Sequence, residues 1–177
     1  MGFAISWLAV RNTSDTSVLS TLGLEKTGET EEIPESDWCS ARLGEWVIIW
    51  SNSMDPAKFR DAPSKLGGEV VVCHVEEHVM FASTSAFENG SLRWSVVHES
   101  EQARDNLEVD GTPPESFARV RAEEFAHVNE DRDVDFIFEI PIRMAEEVVG
   151  FRYDSASDPL FDTLRVAQPP KPKWKFW

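Results

Sequence analysis

Glu69-Val-Val-Val-Cys-His-Val-Glu-Glu-His-Val-Met-Phe-Ala-Ser-Thr-Ser-Ala-Phe-Glu-Asn-Gly-Ser-Leu-Arg-Trp-Ser-Val-Val-His-Glu-Ser100 is the stretch on which the fold turns. Strand-forming residues crowd both sides of Asn89-Gly90, and Asn-Gly accepts the positive φ of a type I′ turn, so a hairpin reverses there. The arm from Glu69 reads as one long strand, with its return from Ser91. A two-residue loop pairs Glu88 with Ser91, Phe87 with Leu92, Ser85 with Trp94, Ser83 with Val96 and Phe81 with His98. Alternation then gathers Val71, Cys73, Val75, Phe81 and Phe87 with Trp94 and Val96 on the expected core face. Val70, Val72, His74, Glu76, His78 and Met80 occupy the other face, which is mixed and reads as a solvent or ligand surface.

His74-Val75-Glu76-Glu77-His78 matches H-x-x-E-H, a zinc peptidase motif that works on a helix, where residues four apart converge on one metal. Its flanks, Val-Val-Val-Cys and Val-Met-Phe, favour a strand. On a strand the two imidazoles stand about 13 Å apart, at roughly 3.3 Å per residue, too far to share an ion. His98 falls on the opposite face and cannot be a third ligand. The expectation is no metal and no cofactor, with His74, Glu76 and His78 kept as the alternative site of a small enzyme.

The chain has 177 residues and is 41% hydrophobic, enough for one domain with a true core. Its net charge is −15. The last ten residues hold three lysines and no acid, so the remainder sets 14 basic residues against 32 acidic ones, a net −18. Such a field repels nucleic acid and anionic membranes and suits a basic protein partner. Cys39 and Cys73 fit neither a disulfide framework nor a zinc spacing. No segment has the length of a membrane span, and Met1–Val10 lacks the basic start of a signal peptide. Met1-Gly-Phe-Ala-Ile-Ser6 fits the myristoylation pattern, but Phe3–Val10 reads better as a first strand. A cytoplasmic location is expected.

Along the chain, Thr13 or Ser14 caps a helix to Leu22 with Gly23 as its stop. Glu25–Trp38 reads as an acidic loop, and Glu29, Glu31, Glu32, Glu35 and Asp37 are the candidate contacts for a basic partner. Trp46-Val-Ile-Ile-Trp50 reads as a strand buried on both faces. Asp55-Pro56 opens a helical stretch with Phe59, Ala62 and Leu66 inward, interrupted at Pro63 and ended by Gly67-Gly68. Glu99–Gly111 is polar. Thr112-Pro-Pro-Glu115 forms a capping box for a helix to about Asn129 that buries Phe117, Val120, Phe125 and Val128 and exposes Glu123 and Glu124. Glu130–Asp135 is a second acidic turn. A strand at Phe136–Ile140, a helix from Pro141 to Val149 and an extended Phe151–Asp154 follow.

Gln168–Trp177 forms a separate Pro, Lys and aromatic tail, extended by its prolines. Trp174, Phe176 and Trp177 are costly to leave in water, so the tail either folds back on the acidic body, lysines against carboxylates, or docks on a partner with these aromatics as candidate anchors. Nucleotide-binding, acyl-transfer and redox motifs are absent. The expected architecture is a single α+β domain over residues 1–167. It has a mixed, mainly antiparallel sheet built around a long central hairpin, with helices packed on it.

Trp46-Val-Ile-Ile-Trp50, Glu69–Phe81, Trp94-Ser-Val-Val-His98, the Pro-capped helix and Phe138-Glu-Ile-Pro141 with Gly150-Phe151 together resemble a group of uncharacterised bacterial proteins. That resemblance covers most of the chain except the tail and implies no assigned activity or functional residue. The functional expectation is a non-enzymatic acidic binding protein, in concrete form an immunity-type inhibitor of a basic bacterial toxin. An adaptor acting through its tail is the other non-enzymatic expectation.

Overall fold

A computed structural model describes residues 2–128, 134–155 and 159–168. The elements run β1 (Ala4–Arg11), α1 (Asp15–Leu22), β2 (Leu24–Glu31), β3 (Trp38–Leu43), β4 (Trp46–Ser51), a single 3-10 turn (Pro56–Lys58), α2 (Ala62–Leu66), β5 (Glu69–Glu76), β6 (Phe81–Glu88), β7 (Ser91–Glu99), β8 (Glu108–Gly111), α3 (Ser116–His127), α4 (Glu139–Val149) and β9 (Phe161–Val166). The strands form one antiparallel sheet in the order β2-β9-β3-β4-β1-β5-β6-β7-β8. The fold is therefore α+β. No helix among the described residues is long and apolar enough to cross a membrane.

Both sheet faces are covered at its centre. On one, Trp7, Trp46, Ile48, Trp50, Cys73, Trp94 and Val96 pack under Ile140, Ile142, Met144 and Ala145 of α4. On the other, Leu8, Val47, Ile49, Val70 and Val72 pack under Val18 and Leu19 of α1 and under Phe59 and Ala62. Trp46–Ser51 lies between the two clusters and is buried at every residue, as its continuous apolar run predicts. The first helix also matches: the Ser17 amide donates to Ser14 Oγ at 3.2 Å, and Gly23 ends the element in the left-handed region.

The central hairpin differs from its expected form in two ways. The long first strand is two strands, because the chain reverses at Glu77–Met80 between β5 and β6. Glu77 anchors that reversal. Its amide donates to the Phe3 carbonyl at 2.9 Å, and its carboxylate accepts from the Phe3 amide at 2.8 Å and the Tyr153 hydroxyl at 2.7 Å. Met80 takes a φ of 50°, a turn that no Gly, Pro or Asn announces. Asn89-Gly90 does turn as expected, with φ of 50° and 79°, but a bulge at Arg93 follows. Ala86 then faces Trp94, Thr84 faces Val96 and Ala82 faces His98. Trp94 and Val96 keep the core face, while Phe81, Ser83 and Ser85 move to the other one. The exchange is physically sensible, since small Ala82 and Ala86 admit α4 closely and the Thr84 hydroxyl donates to the Pro141 carbonyl at 2.7 Å.

Further expectations are corrected. The expected loop Glu25–Trp38 is strand as far as Glu31, and β3, β8 and β9 arise in polar or mixed segments that pairing orders. Thr112 is not a helix cap: its amide donates to the Arg93 carbonyl at 3.1 Å beside β8, and α3 begins at Ser116 without a side-chain cap. Glu124 is buried rather than exposed, because Arg143 donates to its carboxylate at 2.5 Å. Phe136–Phe138 is a turn rather than a strand, and α4 starts at Glu139 with Pro141 in its first turn, where no N–H is needed. Phe151–Asp154 is not a strand.

The bulge depends on Gly111, whose φ is 71° and whose added Cβ would sit 2.1 Å from the Arg93 carbonyl oxygen. Gly111→Ala is expected to cost about 2 kcal/mol or more through backbone strain. A urea melt checks this, and an unchanged midpoint contradicts it.

His98 is fully buried beside that edge. Its Nδ1 lies 2.6 Å from the Asn106 carbonyl and its Nε2 3.0 Å from Asp135 Oδ2. A carbonyl and an ionised carboxylate only accept, so these two partners favour a proton on both ring nitrogens and raise the His98 pKa. The pair ties the β7–β8 connection to the approach to α4.

Candidate functional site

Of the residues expected to meet a partner, Glu29, Glu31, Glu32, Glu35 and Asp37 are brought together at the end of β2 and in the β2–β3 connection. Trp174, Phe176 and Trp177 lie outside the described residues.

The connection, residues 32–37, has no helical or strand ladder, yet two side chains fix it. Glu31, at the end of β2, turns its carboxylate inward. It accepts from the Glu35 amide at 2.8 Å, from the Ser36 amide at 3.1 Å and from the Ser36 hydroxyl. These bonds, that of the Ser36 hydroxyl first, hold the Glu31 carboxyl below the usual carboxylate range. From the other side Asn52, following β4, donates from Nδ2 to the Pro34 and Ser36 carbonyls, both at 2.9 Å. Asn52 is itself oriented by Trp50 Nε1, which donates to its Oδ1 at 3.1 Å. Sequence reasoning missed Asn52, whose role requires the β3–β4 pairing that brings residue 52 back to residues 34–37. Cys39 closes the base. Burial, then the nearby Glu31 charge, pushes its thiol up to about 12, so it is an inert packing group.

The pinned loop presents Glu32, Glu35 and Asp37 to solvent, and with them Ile33, which is 68% exposed. Among the described residues no lysine or arginine is paired with the carboxylates of Glu29, Glu32, Glu35 or Asp37. Glu31 is the exception within the expected set, since its carboxylate serves the loop. The adjoining edge of β2 is broken by a bulge between Lys26 and Thr30, which spoils it as a template for another strand. The side chains of the loop, rather than the backbone of that edge, are what this end of the sheet offers for contact. Loss of the inner staple tests this geometry: Glu31→Ala is expected to speed hydrogen exchange at the Glu35 and Ser36 amides by about tenfold or more, with little change in global stability. Unchanged protection of those amides contradicts the staple.

The alternative histidine site does not assemble. His74 is on β5 with Nδ1 2.7 Å from Ser6 Oγ, and His78 is exposed in the following turn with Nδ1 2.6 Å from Glu76 Oε1. These are two separate pairs, and among the described residues no three His, Cys, Asp or Glu side chains are grouped to hold a metal. Comparison with protein-family models, curated proteins and solved structures found no match.

Proposed function

We propose that this chain is a non-enzymatic acidic binding protein whose loop between β2 and β3 docks on a basic protein. Its concrete form is an immunity-type inhibitor that covers the basic site of a bacterial toxin in the cytoplasm. The observation that carries this reading is a loop held by Glu31 and Asn52 that exposes Glu32, Glu35 and Asp37 together with Ile33. A fixed loop loses little conformational entropy on binding, and an apolar anchor within a charged rim is the usual composition of an interface centre. The chain's net charge of −15 steers a basic partner toward it, so association is fast and sensitive to salt.

The test is capture from a lysate of the native host on the immobilised full chain. The expected result is a basic protein retained at low ionic strength and released by about 0.5 M salt, where the screening length falls below about 5 Å. Recovery of no basic partner at low salt overturns the reading.

A further inference from the structure

We propose that the chain also carries a site for a single phosphoryl group, in the cleft where the Pro56–Lys58 turn meets β5 and β6. Phe59, Arg60, Val72, His74, Ser85 and Phe87 line this cleft of about 90 Å3. So small a cleft suits one small oxyanion.

The polar groups in it are arranged as acceptor and donors. Ser6, fully buried on β1, has its Oγ 2.9 Å from the Ser53 carbonyl and 2.7 Å from His74 Nδ1. A hydroxyl has one proton, and the Ser53 carbonyl can only accept it. Ser6 Oγ therefore accepts from Nδ1–H, which leaves the lone pair of the neutral imidazole on Nε2. Among the described residues that nitrogen makes no hydrogen bond to protein, it is not sealed from solvent, and His74 lines the cleft. Burial lowers His74 to about 4 against a weaker opposing pull from Asp55, and the ring stays neutral near pH 7.

Arg60 and Ser85 supply the donors. Neither side chain has a hydrogen-bond or ion-pair partner among the described residues, although most of the arginines in this acidic chain are paired with carboxylates. Lys58, on the same turn, is engaged elsewhere, donating to Ser51 Oγ at 3.0 Å with its ammonium 4.8 Å from the centre of the Trp38 ring. An acceptor and donors lining one cleft fit an oxyanion that retains a proton. Its O–H points at Nε2 while its other oxygens accept from Arg60 and Ser85. Hydrogen phosphate meets that description near neutral pH, and a phosphate monoester, whose second pKa is about 6, meets it at about pH 6 and below. Sulfate has similar size and shape but no proton, and sets a lone pair against Nε2. This site is independent of the acidic loop.

The test is a titration of the full chain at about pH 6, where a phosphate monoester still holds a proton in part and His74 is neutral, followed by amide and histidine-ring NMR, with inorganic phosphate, O-phosphoserine and sulfate at matched ionic strength. Saturable shifts at His74, Arg60 and Ser85 are expected with phosphate or phosphoserine, with sulfate weaker by about tenfold or more. Tighter phosphoserine identifies an esterified ligand, and equal binding a free phosphoryl group. Arg60→Gln, at an exposed position, is expected to lose about tenfold or more in affinity without a change in Tm. The proposal is overturned by the absence of saturable shifts up to about 20 mM phosphate, weaker than the usual range for small-ligand sites. Sulfate binding as well as phosphate, or full affinity in Arg60→Gln, overturns it equally.

Discussion

Asp135→Ala is expected to destabilise the protein by about 3 kcal/mol at acidic to neutral pH, because it leaves the buried His98 ring without its counter-charge. For a chain of this length that is a fall in Tm of about 6–12 °C. The pH dependence separates an ion pair from a neutral hydrogen bond. Burial opposes the charge on His98, but its bonds to Asp135 and the Asn106 carbonyl outweigh burial and raise its pKa. A raised histidine stabilises fully below its unfolded pKa of about 6.5 and loses that contribution as pH rises through the folded value. Asp135 is lowered on balance, burial being opposed chiefly by the His98 hydrogen bond and charge. Its contribution is present above the unfolded value of about 3.9 and lost as pH falls through the folded one. The two windows overlap between about pH 4 and 6.5, so the gap between wild type and variant is widest there and narrows toward alkaline pH. Thermal melts across that range check it, and a gap independent of pH contradicts a charged pair.

The second large effect is on binding. Reversing charge in the triple variant Glu32→Lys, Glu35→Lys and Asp37→Lys is expected to weaken capture of the basic partner by about 100-fold or more, since like charges across an interface cost several kcal/mol. The fold is expected to survive, because these side chains are exposed and support no ion pair among the described residues. Ile33→Asp removes the apolar anchor without adding positive charge. It should act mainly on the dissociation rate, whereas the lysine variant acts mainly on association and its salt dependence. Equal loss of association rate in both contradicts this division.

What could be read from the residues was local. Asn89-Gly90, the Ser14 cap, Gly23 and the apolar run Trp46–Trp50 each carry their own signal within a few residues. Features set by distant partners were not legible. The reversal at Glu77–Met80 rests on Phe3 and Tyr153, the bulge at Arg93 on Gly111 and Thr112, and the burial of Glu124 on Arg143. β2 and β8 are polar strands at the sheet edges, where pairing with one neighbour replaces an apolar pattern. The acidic segment Glu29–Asp37 was visible as composition. The division between Glu31, which holds the loop, and its outward-facing neighbours depends on side-chain direction, as does the tautomer of His74.

The most direct measurement is hydrogen exchange on the full chain with and without its captured basic partner. Slowed exchange is expected to concentrate in residues 29–37, in a loop already protected at Glu35 and Ser36 before binding. Protection confined to other surfaces, or a loop that exchanges freely until the partner arrives, would contradict that expectation.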